Sequence, residues 1–101
     1  MIATENKLSR KIIRNNDIVS RNIAGETILV PIRGNLADMQ NIFTLNKIGA
    51  FIWERLDGKR PLSQIIGLLL DHFDVSSEEA ENDILEFIAQ VLATGLAVEK
   101  T

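Results

Sequence analysis

Leu45-Asn46-Lys47-Ile48-Gly49-Ala50-Phe51-Ile52-Trp53-Glu54-Arg55-Leu56-Asp57-Gly58 is the stretch on which the fold turns. Ile48, Phe51, Ile52 and Leu56 recur at helical spacing, and the segment holds the only Trp and one of the four Phe in the chain. Asn46 suits an N-cap, because its side-chain oxygen can accept from a first-turn amide that has no partner within the helix. Gly49 stands in the first turn, where a missing side chain costs little and lets a neighbouring backbone approach. Asp57-Gly58 closes the run with turn chemistry. The stretch predicts a short, mostly buried helix that joins a β-rich half to an all-helical half.

Upstream, residues 40–45 read as a strand with Phe43 and Leu45 pointing one way and Ile42 and Thr44 the other. Residues 27–33 are a stronger, β-branched strand with Ile28, Val30 and Ile32 on one face. Pro31 has no amide to give a ladder, which puts that point at an edge or a bulge. Residues 17–23 make a further short strand, with reversals at Ala24-Gly25-Glu26 and Gly34-Asn35. Three strands joined by tight turns form an antiparallel meander with two edges. Small proteins blunt such edges with Lys or Pro, and the third strand has neither. Residues 1–16 are polar and basic, with Ile12-Ile13 as their only apolar pair. They predict a mobile arm, either solvated or paired with the acidic helices of a partner, ahead of a folded domain over residues 17–101.

Downstream, Lys59-Arg60-Pro61 leads into a second helix that starts at Pro61, where no amide bond is lost. Leu62, Ile65, Ile66, Leu69, Leu70 and Phe73 mark its apolar stripe. Ser76 with Glu79 three residues on is a capping box opening a third helix, whose early carboxylates suit the positive end of the dipole. Gly95 is its C′ residue, with Leu96 making the accompanying apolar contact and continuing into a short extended tail. Ala80, Ile84, Leu85, Phe87, Ile88, Val91 and Leu92 cover close to half of the third helix. One surface needs a stripe of only about 100°. The excess means either burial against two elements or a flank left open for a guest.

At 101 residues and 46% hydrophobic content the chain supports one domain with a real core. No apolar run has the look of a signal peptide or reaches membrane-spanning length, so no membrane partner is expected and the cytoplasm is the default location. Cysteine is absent, which removes disulfides, thiolate metal sites and thiol catalysis together. Residues 1–16 hold four cations against Glu5 alone, a local +3 within a net charge of −3. From Pro61 through Glu99 there is no Lys or Arg but there are eight Asp or Glu. A nucleic-acid reader needs cations on the face that meets phosphate, and these helices offer none.

No catalytic constellation stands out. His72, between Asp71 and Asp74, reads as a helix-end cation rather than a base, since no nucleophile is paired with it in any motif. Glu78, Glu79, Glu81, Asp83 and Glu86 lack a calcium-loop spacing and read as a solvated face. No enzyme activity, cofactor or metal is expected.

Leu45-Asn46, Gly49-Ala50, Ile52-Trp53 and Leu56-Asp57-Gly58, followed by Asp83-Ile84, Phe87-Ile88, Leu92 and Gly95-Leu96, resemble in order and spacing the pyrroloquinoline quinone synthesis protein D family. The resemblance covers roughly residues 18–98. It implies an α+β, winged helix-turn-helix-like fold, a three-stranded antiparallel sheet followed by three helices, and no catalysis. It implies binding of the leader of a ribosomally made precursor peptide and its presentation to a modifying enzyme, often a radical S-adenosylmethionine (radical SAM) enzyme. Members devoted to the quinone itself carry a Tyr-Asp pair and a Trp in the second strand, absent here between Asp17 and Ile32; separately, Pro61 stands where a Thr cap is usual in the family. The resemblance is therefore to a generic relative whose peptide is not specified.

In the family's mode the leader adds as a fourth strand along Gln40, Asn41, Ile42, Phe43 and Thr44, bonding to unpaired backbone groups. Ile42 is then a strand-side wall, and Ile84, Phe87 and Val91 a helix-side wall. Asp83 and Gln90 flank Phe87, placed to select polar or basic leader residues. The opposite flank, Leu85 with Ala89, is the other option for the groove. Ordering a disordered leader costs free energy, so micromolar affinity is expected. Two readings of other classes are a winged-helix DNA binder and a homodimer that pairs the exposed edge with its twin.

Overall fold

The computed structural model describes residues 7–32 and 43–100. In chain order the elements are β1 (Lys11–Arg14), β2 (Ile18–Ile23), β3 (Glu26–Pro31), β4 (Phe43–Leu45), α1 (Lys47–Glu54), β5 (Asp57–Pro61), α2 (Leu62–His72), α3 (Ser77–Ala93) and β6 (Ala97–Lys100). The strands form two antiparallel sheets, β2-β3-β4 and β5-β1-β6, so the fold is α+β.

The helices start where their end chemistry puts them. Asn46 Oδ1 accepts from the Gly49 amide at 2.8 Å and opens α1. Ser76 and Glu79 form the reciprocal capping box of α3. Gly95, at φ +79°, takes the left-handed turn after α3, and Leu96 is buried beyond it. Pro61 is the extended residue just before α2 rather than its first helical one. Trp53, Ile52, Leu56, Leu62, Ile65, Leu69, Ile84, Ile88 and Val91 make one continuous buried core from the three helices.

The meander is present, with its third strand described only from Phe43; Gln40, Asn41 and Ile42 lie outside the described residues. Its core-facing side is the one that carries Leu29. Leu29, opposite Phe43, is fully buried, whereas Ile28 and Val30 are half-exposed and Ile32 is 58% exposed. The β-branched face is therefore the outer one.

The expected mobile arm is corrected at Lys11–Arg14, which form the middle strand of the second sheet. Ile12 is 1% exposed, and the register runs Lys11 to Lys100 and Arg14 to Ala97. Backbone bonds fasten the strand at both ends, Arg10 accepting from Leu62 at 3.0 Å and Asn15 donating to Leu96 at 2.9 Å. Its partners are the segments read as a turn-and-linker and as a tail, here β5 and β6. Gly58, at φ +76°, gives β5 its irregular register: a Cβ there would lie 3.2 Å from that of Ile13. Asp57 Oδ1 folds back to accept from the Lys59 and Arg60 amides at 2.9 and 3.1 Å.

Candidate functional site

Strand β4 ends at Leu45, one residue before the Asn46 cap, so the sheet delivers the chain directly into the N-terminus of α1. Among the described residues β4 pairs only with β3, and its other edge carries no partner strand. Beside that junction α3 crosses α1. A Cβ at Gly49 would crowd the Asn46 cap, with Oδ1 at 3.3 Å, and would touch Phe87 Cε1 at 3.5 Å and Leu45 Cβ at 3.6 Å at ordinary contact distance. The neighbours of that position are thus side chains, not a backbone.

The result is a cleft of about 230 Å³. Ile48, Gly49 and Ile52 of α1 form one wall, and Asp83, Glu86 and Gln90 of α3 form the rim opposite, with Phe87 between them. Phe87 is 8% exposed, so only its ring edge reaches the opening. Asp83 and Glu86 form no ion pair among the described residues, because α2 and α3 carry no Lys or Arg. An apolar floor with an anionic rim accommodates an apolar side chain next to a cationic or hydrogen-bonding one.

The residues named from the sequence separate into three groups. Asp83, Phe87 and Gln90 share the cleft, and Phe43 and Thr44 lie on the edge strand, Thr44 exposed and Phe43 half-buried. Ile84 and Val91 have no accessible surface; they turn into the core and back Phe87 instead of forming a wall. Gln40, Asn41 and Ile42 lie outside the described residues. Leu85 and Ala89 do not line this cleft.

A second, wider cleft of about 850 Å³ opens between the β2–β3 turn, β4 and the ends of α1 and α2, and the sequence did not reveal it. His72, the last residue of α2, stacks on Phe51 at 4.9 Å between centroids, and Phe73 meets Phe51 edge-on at 5.4 Å. The Arg55 guanidinium lies 3.5 Å from the Phe51 ring centre. Thr44 and Leu45 line this cleft, whereas the cleft over Phe87 begins at Asn46, one residue past the end of β4. Phe51 and the His72–Phe73 pair are far apart in sequence, and no local pattern brings them together.

The family model for coenzyme PQQ synthesis protein D (PqqD) matches residues 26–97. No curated protein sequence matches the chain. Two solved structures share the fold. TbiB1 in complex with the TbiA(beta) leader peptide superposes with a TM-score of 0.66 at 20% identity, covering 84% of this chain and 93% of that one. A lasso peptide synthetase B1 complexed with the leader peptide gives 0.69 at 19% identity, covering 87% and 98%.

Proposed function

The chain belongs to the coenzyme PQQ synthesis protein D family, and from that membership we propose that it is a non-catalytic module that binds the leader of a ribosomally made precursor peptide and presents it to a modifying enzyme. The leader adds as a strand on the open edge of β4, its backbone bonding to the unpaired groups there. One of its apolar side chains enters the cleft over Phe87, and polar or basic neighbours meet Asp83, Glu86 and Gln90. The observation that carries this reading is the coincidence of a strand edge with no partner strand among the described residues and an apolar-floored cleft just past the strand's end. The likeness to two proteins solved with leader peptides agrees with it.

The finer parts of the reading belong to the same proposal. The second sheet and the α2–α3 pair make a winged helix-turn-helix-like arrangement, the receiving enzyme is of the radical SAM class, and the module works in the cytoplasm. No helix among the described residues is long and apolar enough to cross a membrane. The absence of any Lys or Arg from α2 and α3 argues against a DNA-reading role for those helices.

The test is a backbone N-methylation scan of a leader peptide that the chain is found to bind, read by calorimetry. Strand addition directs alternate amides at the module, so methylation at every second position should weaken binding about tenfold or more, or about 1.4 kcal/mol, while the positions between are tolerated. A scan with no two-residue period would refute strand addition.

A further inference from the structure

The cations missing from α2 and α3 gather on the second sheet and on the residues just ahead of it. Lys7, Arg10, Lys11 and Lys100 surround an open hollow of about 730 Å³ floored by Gly58. Lys11 and Lys100 are directly opposed across the β1–β6 ladder, where like charges destabilise the pairing. The one carboxylate in the hollow, Glu99, reaches only Arg10, at 4.0 Å. Lys7, Lys11 and Lys100 form no ion pair among the described residues. On the same strand face Val98, 50% exposed, stands opposite Ile13. A like-charged pair of lysines without counter-ions among the described residues, two residues along the strand from an exposed apolar side chain, is a local rule broken on a paired strand, and such departures mark binding surfaces.

We propose that this face is a second docking surface, taking an acidic patch of a folded protein partner whose carboxylates meet Lys7, Arg10, Lys11 and Lys100 and whose apolar side chain covers Val98. It shares no residue with the cleft over Phe87, so both can be occupied together. The inference rests on the delivery role above, because a module that hands over a peptide must hold the receiving protein while its groove is full. Charge selects the class of partner. The patch is a +3 island on a molecule of net charge −3, too small for the many phosphate contacts of a nucleic acid.

The experiment measures binding of a fluorescein-labelled peptide of alternating Glu and Val, with duplex DNA and phosphatidylserine vesicles as rival ligands, on the wild-type chain and the K100E variant. The Glu-Val peptide should bind in a salt-dependent way and K100E should weaken it about five- to tenfold. Because K100E also removes the Lys11–Lys100 opposition, its melting temperature should hold or rise, which separates lost binding from lost folding. Leader affinity should be the same in both proteins. No binding of the Glu-Val peptide, equal binding by K100E, or stronger binding of DNA or vesicles overturns the proposal. Sedimentation showing self-association that K100E abolishes also overturns it, by making a second copy the occupant. If the wild-type chain binds the acidic peptide but no leader, the delivery reading fails on its own.

Discussion

Replacing Ile12 by Ala should destabilise the domain by about 3 kcal/mol, inside the range of about 2–5 kcal/mol for truncating a buried Ile. The side chain is 1% exposed and belongs to the same core as Trp53 and Leu56, so its loss leaves a cavity that water cannot fill cheaply. Its strand also lies between β5 and β6, so loosening it weakens two ladders at once. Equilibrium urea unfolding followed by circular dichroism reads the effect. With a slope of about 1.5 kcal/mol per M, the midpoint should fall by about 2 M. Lys11→Ala, one residue away and exposed, should move it by less than about 0.3 M. If Ile12→Ala behaved like Lys11→Ala, residues 11–14 would be a loosely attached arm and the second sheet would be wrong.

Gly58→Ala should cost about 2–3 kcal/mol, from a left-handed backbone combined with crowding against Ile13, and Ile13→Ala in the same chain should recover part of that in a double-mutant cycle. Asp57 supplies a pH dependence. The Lys59 amide holds its carboxyl below the usual range; burial, the next largest effect, opposes it, and the Arg60 amide and guanidinium then add to the lowering. A depressed folded value stabilises the protein above the unfolded value of about 3.9 and loses that contribution as pH falls through it. Unfolding midpoints measured from pH 6 to pH 2 should therefore drop less steeply below about pH 4 in Asp57→Asn than in the wild-type chain.

Much of the helical half was legible because its signals are local. Asn46, Ser76 with Glu79, and Gly95 each act within a few residues, and all three cap as their chemistry dictates. The second sheet was not legible. Asp57-Gly58-Lys59-Arg60-Pro61 has no residue that favours a strand, yet it pairs with β1, since tertiary pairing overrides propensity. Lys11-Ile12-Ile13-Arg14 is too short to display alternation, and its reason for being a strand lies in segments far along the chain. In the first sheet alternation put Ile28, Val30 and Ile32 on one face without saying which face turns inward, and packing buried Leu29.

The candidate site divides along the same line. Helical periodicity put Phe87, Asp83 and Gln90 on one flank, and the cleft gathers all three. It also put Ile84 and Val91 on the apolar arc, with no means of telling where the core stops and the opening begins. The α1 wall and the Phe51–His72–Phe73 stack depend on how helices cross, which no spacing encodes.

The pairing of Lys11 with Lys100 brings two positions near the ends of the described chain to about 4.8 Å, one strand spacing. A cassette whose entrance and exit adjoin can be spliced into a surface loop of an unrelated enzyme through short linkers, without opening either structure. Such a graft would let peptide capture be transplanted as one piece, and a permuted version with new ends in the β2–β3 turn should fold around the same centre.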